Sequence, residues 1–254
     1  MGSRARHSLA MKSKIAGDRL RGKTALVTGA SRGIGLAIAQ ALAREGCNLV
    51  ISGRNRSTLN KAAKELSQRK TSVLPVACDV RDQVAVEKLL AAVKNHFHRL
   101  DILINNAGVA HTNLSVPKLP VTSWMETIDT NLTGTFLVTR AALPLMKRGG
   151  AIVNNLSIAA KRVFPGSSAY NASKHGALGF TDTLREELRG HGIRVIALLP
   201  GATDTAIWKT LWPEAPRKKM MSPKTVAEAV VNALILLPNT TIEELTVMPS
   251  AGTL

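Results

Sequence analysis

The stretch TALVTGASRGIGLAIAQALARE (residues 24–45) decides the fold. Its first residues are apolar and strand-like, and after the last glycine the apolar residues recur at helical spacing. Between the two patterns lie Gly29, Gly33 and Gly35, which allow a tight turn and a close approach of the backbone to a phosphate group. The N-terminus of the helix then faces that phosphate. The stretch therefore predicts a nucleotide-binding turn that joins the first strand and first helix of a parallel α/β sheet.

The same alternation continues along the chain. Strand-like apolar runs lie at 24–29, 48–53, 72–80, 101–108, 150–157, 193–201 and 244–250, and helical patterns at 34–45, 57–69, 82–97, 121–148, 168–190 and 223–237. The runs are continuously apolar, as expected for strands covered on both faces. Repeated βα units predict a Rossmann-like doubly wound parallel sheet of about seven strands with helices on both faces. Pro75 favours an edge position for the third strand, and Pro144 a kink or an early end of the long helix.

The length fits one domain. The chain has 254 residues, of which 45% are hydrophobic, enough to bury a full core. Residues 1–21 lack apolar periodicity and are predicted to form a basic, disordered leader, with residues 22–254 as the folded domain.

No apolar run approaches the roughly 20 residues of a membrane span. Cys47 and Cys78 are far apart and lack metal-binding spacing, so we expect reduced thiols, no metal and a cytoplasmic protein.

The net charge of +17 raises the question of an acidic partner. Residues 1–23 contain seven basic residues and one acid, so the rest of the chain is basic in its own right. The charges are scattered, with one triplet at 217–219, and aromatic residues make up 3%, too few for base stacking. Nucleic acid and membrane are therefore not expected partners. Solubility, or attraction for phosphorylated ligands, explains the charge better.

The choice of nucleotide is also indicated by the sequence. NAD-binding domains often place an acid at the end of the second strand, where it holds the ribose 2′-hydroxyl. Here the strand ends in ISGRN, with Arg54 and no acid, and Arg32 precedes the second glycine of the turn. Two guanidinium groups suit a 2′-phosphate, which favours NADP over NAD. The alternative is that Arg54 is solvated at the end of a strand.

A tyrosine and a lysine recur at helical spacing in SAYNASKHGALGF (residues 168–180). Tyr170 is the chain's single tyrosine, and Lys174 lies one helical turn later, so the two share a helix face. An ammonium beside a phenol favours the phenolate and lowers a pKa that is ordinarily about 10. The pair therefore suggests an acid–base group. The alternative is an ordinary surface pair.

Taken together, the motifs resemble the short-chain dehydrogenase/reductase family, of the compact single-domain type. The resemblance rests on TGASRGIG (28–35), NNAG (105–108), Ser157, YNASK (170–174) and PG (200–201), in that order, and covers about residues 22–250. It implies an NADP(H)-dependent oxidoreductase that interconverts a carbonyl and an alcohol.

The resemblance also implies a catalytic tetrad of Asn131, Ser157, Tyr170 and Lys174. Tyr170 is then the acid–base group at the substrate oxygen, and Ser157 stabilises the charge that develops there. Lys174 binds the nicotinamide ribose and lowers the pKa of the tyrosine. Asn131 holds a water that passes protons to the lysine. Taken alone, Asn131 would read as a solvated helix residue and Ser157 as a turn serine.

The cofactor contacts carried over by the resemblance lie at the ends of the strands. They are Gly29, Ser31, Arg32, Gly33, Ile34, Gly35, Arg54, Asp79, Val80, Asn106, Ala107, Gly108, Tyr170, Lys174, Pro200, Gly201 and Thr203. In this scheme Asp79 and Val80 contact the adenine, and Thr203 contacts the carboxamide or a phosphate. Asp79 has an alternative role as the N-cap of the next helix.

The substrate region is less specific. Residues 202–222 are apolar in part, and Trp208 and Trp212 would share one face of a short helix, as an active-site lid that contacts substrate or as a face packed on the protein. Ile158, Val163 and Phe164 are candidates for an apolar wall of the pocket. We expect a hydrophobic small-molecule carbonyl or alcohol as substrate. His111 is expected to be solvated and His175 structural.

Two other functions remain open at this stage. One is a 3-oxoacyl-(acyl-carrier-protein) reductase, although the ending ELTVMPSAGTL departs from the V-D-G-G ending common in those enzymes. The other is a non-catalytic NADP-binding regulator, which would need neither Ser157 nor Tyr170. Family members commonly assemble through their long helices. Because 168–190 carries Ala172, Gly176 and Gly179 off the catalytic face, a homotetramer or dimer is expected.

Overall fold

The computed structural model describes residues 19–67, 71–237 and 239–252 and contains a seven-stranded, all-parallel sheet. Its strands are β1 (Thr24–Thr28), β2 (Asn48–Gly53), β3 (Val73–Ala77), β4 (Leu100–Asn105), β5 (Met146–Asn155), β6 (Arg194–Pro200) and β7 (Glu244–Val247). They are ordered β3-β2-β1-β4-β5-β6-β7. The predicted doubly wound sheet is confirmed, and Pro75 lies on the edge strand β3, where its missing N–H leaves no ladder bond unmade.

Helices cover both faces of the sheet. They are α1 (Gly33–Arg44), α2 (Arg56–Ser67), α3 (Gln83–Phe97), α4 (Val121–Ile128), α5 (Gly134–Ala142), α6 (Ser168–Arg189), α7 (Trp208–Leu211) and α8 (Pro223–Leu234). Side chains that alternate along β1 serve the two larger of three core clusters: Ala25 and Val27 pack with α1, α2 and α8, whereas Leu26 packs with α3, α5 and α6. The third cluster, which includes Leu156 and Leu199, lies at the carboxyl ends of β5 and β6.

The helical stretch predicted over 121–148 is observed, with an interruption, as far as Leu145, and only its last three residues form a strand instead. A π-helical turn, Asp129–Thr133, separates α4 from α5, and a short 3₁₀ turn containing Pro144 follows. Pro144 has no N–H to continue the helix. The chain enters β5 at Met146, four residues before the predicted strand start, and Met146 pairs with Leu100 of β4. The early end of the helix that Pro144 predicts is therefore confirmed, and pairing with β4 begins directly after it.

The start of the folded domain also differs from the prediction. Residues 1–18 of the predicted leader lie outside the described residues. Leu20 is buried in the core, and the Arg19 guanidinium pairs with Glu45 at 2.6 Å. Arg19 and Leu20, which composition places in the leader, thus pack against the domain. Among the described residues, no helix is long and apolar enough to cross a bilayer.

Candidate active site

A cavity of about 530 Å³ opens at the carboxyl ends of the central strands. It lies where the sheet order reverses between β1 and β4, the position at which open α/β sheets bind ligands. Every residue predicted to contact cofactor lines this cavity except Gly35, which packs beneath the glycine turn. Ser157 and Trp208 line it too. The structure thus brings the glycine turn and the Tyr170 region into one enclosed space.

The glycine turn is fixed from below by Asn106. Gly29 and Gly33 have φ values of +62° and +60°, a backbone conformation that glycine adopts without strain. The Asn106 side-chain amide donates to the carbonyl oxygens of Thr28 (2.9 Å) and Gly29 (3.2 Å). A Cβ at Gly35 would lie 2.5 Å from the Gly29 oxygen and closer still to Asn106 Nδ2. Glycine is therefore required at position 35 because the asparagine occupies the space beneath the turn.

Charged side chains surround the end of the cavity that Arg32 and Arg54 line. Arg54 is 54% exposed, and its Nη1 lies 3.6 Å from a Glu126 carboxylate oxygen. Arg81, which the sequence reading missed, pairs with Asp79 at 2.6 Å and lowers the pKa of that carboxyl. The alternative role of Asp79 as a helix cap is wrong. Asp82 caps α3 instead, because its carboxylate accepts the N–H groups of the helix's first turn.

The opposite end of the cavity holds Ser157, Tyr170 and Lys174. Tyr170 lies in the first turn of α6, and Lys174 follows one turn later, as the spacing predicts. The Lys174 ammonium lies 5.6 Å from the centre of the tyrosine ring and donates to the backbone oxygen of Asn155 at 3.1 Å. Ser157 begins a 3₁₀ turn after β5, and its Oγ accepts the N–H of Ala159 at 3.1 Å. Its hydroxyl hydrogen remains available to a neighbouring oxygen.

The pKa values of this group differ from the expectation that the lysine lowers that of the tyrosine. Burial raises the pKa of Tyr170 above its ordinary value, and a hydrogen bond with Ser157 acts in the opposite direction. Burial also lowers the pKa of Lys174 to about 8. At 5.6 Å from the ring, the ammonium does not outweigh the desolvation of the phenolate. The prediction of a lowered tyrosine pKa is therefore wrong for this geometry.

Asn131 occupies the π-helical turn and is buried rather than solvated. Its amide donates to the backbone oxygen of Val109 (2.9 Å) and to Ser173 Oγ (3.0 Å), and its oxygen accepts the N–H of Val109 (2.9 Å). The side chain thus joins the loop after β4 to α6 beside Lys174. It fixes the backbone that borders the cavity.

Apolar side chains line the cavity beyond Tyr170: Ile158, Phe164, Ile207, Trp208, Leu211, Trp212 and Met248. Trp208 is anchored by a bond from its Nε1 to the backbone oxygen of Thr203 at 2.8 Å. Helix α7 ends at Leu211, so Trp212 lies one residue past the short helix, but its N–H bonds to the Trp208 oxygen at 3.0 Å and both tryptophans line the cavity. Val163 is 76% exposed and does not line the cavity, so its expected place in the apolar wall of the pocket is wrong.

The two histidines behave differently from one another. His111 is buried, with Nδ1 2.8 Å from the backbone oxygen of Thr112, so the expectation of a solvated loop side chain is wrong. His175 is exposed on α6, and its Nδ1 contacts the Asn171 oxygen at 2.9 Å, consistent with a structural role.

Within the described ranges, no cluster of three His, Cys, Asp or Glu side chains is present that could hold a metal ion.

The chain is similar in sequence to known oxidoreductases. The family model described as short chain dehydrogenase matches residues 23–216. An uncharacterized oxidoreductase of Staphylococcus haemolyticus is 35% identical over 232 residues, which span 91% of this chain and 98% of that protein. An uncharacterized oxidoreductase of Staphylococcus aureus (strain USA300) is 38% identical, with the same shares covered.

Solved structures agree with the sequence matches. An alcohol dehydrogenase from the archaeon Thermococcus sibiricus, complexed with 5-hydroxy-NADP, superposes with a TM-score of 0.84 at 33% identity, over 90% of this chain and 97% of that one. A variant of actinorhodin polyketide ketoreductase with NADPH gives 0.80 at 34% identity, over 91% and 97%. A short chain dehydrogenase from Burkholderia cenocepacia in complex with NADP gives 0.84 at 30%, over 92% and 99%.

Proposed function

The chain belongs to the short-chain dehydrogenase/reductase family of oxidoreductases, and from this premise we propose that it interconverts a carbonyl and an alcohol with NADP(H). The observation that carries the proposal is the single cavity that holds the glycine turn at one end and Ser157, Tyr170 and Lys174 at the other. A nucleotide seated on the turn and a substrate oxygen at the tyrosine would meet inside it. A regulator that only binds nucleotide would not need Ser157 and Tyr170 at the second end of the cavity.

The residues around the turn fit NADP. The glycine turn precedes the N-terminus of α1, where a phosphate is favoured. Arg32 and Arg54 line the same end of the cavity and supply the guanidinium groups that a 2′-phosphate requires. The solved relatives complexed with NADP or NADPH support this choice over NAD.

In the proposed mechanism, Tyr170 transfers the proton and Ser157 steadies the substrate oxygen. When bound, NADPH supplies the hydride. During reduction the Tyr170 hydroxyl donates its proton to the substrate oxygen, and the Ser157 hydroxyl donates a hydrogen bond to the same atom. Lys174, one turn away, stabilises the phenolate that remains. Asn131 keeps the loop at Val109 and helix α6 in register beside the lysine.

The direct test follows consumption of NADPH and of NADH by the purified protein. The panel contains apolar ketones, aldehydes, diketones and a 3-oxoacyl thioester. We expect oxidation of NADPH in preference to NADH with at least one apolar carbonyl. NADPH binding without turnover of any panel member would instead favour the regulator.

The apolar lining favours a hydrophobic substrate. Phe164, Trp208 and Met248 line the cavity with Tyr170, so the substrate's carbon skeleton is expected to contact apolar side chains. A carrier-bound 3-oxoacyl group is a second candidate, favoured by the likeness to actinorhodin polyketide ketoreductase. Activity with the thioester above that with free ketones would select this second candidate.

Exchanging Arg54 for an acid is expected to change the choice of nucleotide. In Arg54→Asp the guanidinium near the expected 2′-phosphate is lost and a like charge replaces it. We expect the Kd for NADPH to rise at least about tenfold, because a charge-assisted hydrogen bond contributes roughly 1.5–3 kcal/mol. NADH lacks the phosphate and should bind no worse. Fluorescence titration of both nucleotides measures the ratio, and an unchanged ratio would remove Arg54 from the site.

We further propose a homotetramer or dimer built on the long helices. Ala172, Gly176 and Gly179 are exposed on α6, and a Cβ at Gly179 would meet nothing within 4 Å. The Phe136 ring of α5 is 44% exposed and packs edge-to-face on Phe180. Small residues beside a partly exposed aromatic pair allow another helix to approach closely.

Light scattering at micromolar concentration is expected to show a dimer or tetramer. Gly179→Arg should shift the mass downward, because a long charged side chain blocks close helix approach. Gly190→Arg is the matched control, since position 190 is also open but lies at the end of α6. A monomeric wild-type protein would contradict the proposed assembly.

A further inference from the structure

Two asparagine pairs cross from β4 to β5 at adjacent positions. Asn105 Nδ2 donates to Asn154 Oδ1 at 2.9 Å, and this pair is buried between the sheet and the helices. The next residues along both strands form the second pair, in which Asn155 Nδ2 donates to Asn106 Oδ1 at 2.8 Å. Asn106 and Asn155 both line the cavity. The second pair therefore lies where a ligand would be bound.

The backbone fixes the orientation of both amides in this second pair. The Asn106 side chain faces the carbonyl oxygens of Thr28 and Gly29, which can only accept, so it must present its NH₂ to them. Its oxygen is then the atom that faces Asn155. Asn155 must in turn present its own NH₂, and its Oδ1 is directed elsewhere. Neither amide can be flipped without losing a hydrogen bond.

Asn155 also contacts the catalytic lysine. Its backbone oxygen accepts the Lys174 ammonium at 3.1 Å. Through its side chain it holds Asn106, and through Asn106 it holds the Gly29 turn. A single residue therefore links the turn at one end of the cavity to the lysine at the other.

The remaining polar atom of Asn155 lacks a partner. Its Oδ1 is buried and has no hydrogen bond to any part of the chain that the structure describes. A buried carbonyl oxygen without a donor costs free energy, about 1–3 kcal/mol. Because the orientation argument makes this atom an acceptor, the group that satisfies it must donate, as a ribose hydroxyl or a carboxamide N–H does.

We propose that Asn155 is a positioning residue that couples the nucleotide-binding turn to Lys174. Its side chain holds Asn106 against the turn, its backbone oxygen holds the lysine, and its free Oδ1 accepts a hydrogen bond from the bound dinucleotide. The proposal rests on the proposed function for the identity of that ligand. The amide bridge itself is a property of the chain alone.

A double-mutant cycle tests the bridge. Asn106→Ala, Asn155→Ala and the double variant are compared with the wild type, and Asn95→Ala, exposed on α3, is the control. The readouts are the Kd for NADPH by fluorescence titration and the melting temperature without nucleotide. Each single change should raise the Kd about tenfold, and the double should be close to the worse single rather than the roughly hundredfold product, since the two residues act as one unit. Additive losses in both readouts would overturn the proposal.

A second variant, Asn155→Asp, keeps the shape of the side chain and removes the donor. Its carboxylate lies on the residue that holds Lys174, so it should raise the pKa of the lysine. We expect the pH at which kcat is half-maximal to move upward, a shift that the control Asn95→Asp, with its carboxylate exposed on α3, should not produce. An unchanged pH profile would contradict the coupling to Lys174.

The two proposals can fail separately. A wild-type protein that binds no NADPH would defeat the proposed function, yet the melting-temperature cycle would still decide whether the amide bridge exists. Conversely, normal NADPH-dependent turnover together with an additive cycle would remove Asn155 as a positioning residue and leave the function intact.

Discussion

Tyr170→Phe is expected to lower kcat by at least about a hundredfold while it leaves the Kd for NADPH within about threefold of wild type, since general acid–base catalysis contributes 10²–10⁴-fold. The change removes one oxygen and keeps the ring. The oxygen has no other role in the proposed mechanism than to pass the proton. Lys174 does not take its place, because the ammonium is held by the backbone oxygen of Asn155.

The measurement has two parts. Steady-state turnover with the best carbonyl gives the kinetic loss, and fluorescence titration gives the NADPH affinity. Since the chain has one tyrosine, ultraviolet titration of the phenolate reports Tyr170 alone. The wild type without nucleotide should show a pKa above the ordinary value, as burial dictates. A variant that loses NADPH binding along with turnover would contradict the assigned role.

Gly35→Ala is expected to abolish high-affinity nucleotide binding. The added methyl group would lie 2.5 Å from the Gly29 oxygen, so either the turn or the Asn106 amide must move. Both belong to the proposed nucleotide site. Overpacking of a tight site costs roughly 1–3 kcal/mol, and displacement of Asn106 leaves the carbonyl oxygens of the turn without donors. We expect the Kd for NADPH to rise at least about a hundredfold, with a lower melting temperature.

The matched control is Gly190→Ala. Gly190 follows α6 with φ −63°, and a Cβ there would meet nothing within 4 Å. Alanine is tolerated in that conformation, so both affinity and melting temperature should match wild type or improve slightly. If Gly35→Ala bound NADPH as well as this control, the turn would not be the nucleotide's seat.

The sequence predicted the parts of the fold that depend on local pattern. The strand, glycine turn and helix of residues 24–45 carry their own signals, and so does the Tyr170–Lys174 spacing on α6. Pairing between strands is not local: Met146 continues a helical pattern but forms the start of β5 because Leu100 lies beside it. The start of β5 was therefore predicted four residues too late, although Pro144 correctly indicated the early end of the helix.

In the site too, features that depend on local sequence pattern were predicted, and features that depend on distant contacts were not. Arg81 and Asn155 were missed because neither carries a motif. Arg81 is an ordinary basic residue until Asp79 contacts it, and Asn155 is a strand residue until Asn106 lies opposite. The raised pKa of Tyr170 was not predictable either, since it depends on how far the folded structure removes the ring from water. Spacing therefore indicated the candidate catalytic groups, while burial and cross-strand neighbours determine their electrostatics.

The reversal of sheet order between β1 and β4 also bears on how the protein folds. Thr28 and Asn106 are 78 residues apart in the chain, yet their bonds complete the turn. Contacts of such long sequence separation form late and slowly, after the local βα units. During synthesis β1 emerges well before β4, so the turn stays incomplete until the second half of the sheet docks. A nucleotide that needs the finished turn would bind only the assembled protein and stabilise it by mass action against partly folded chains.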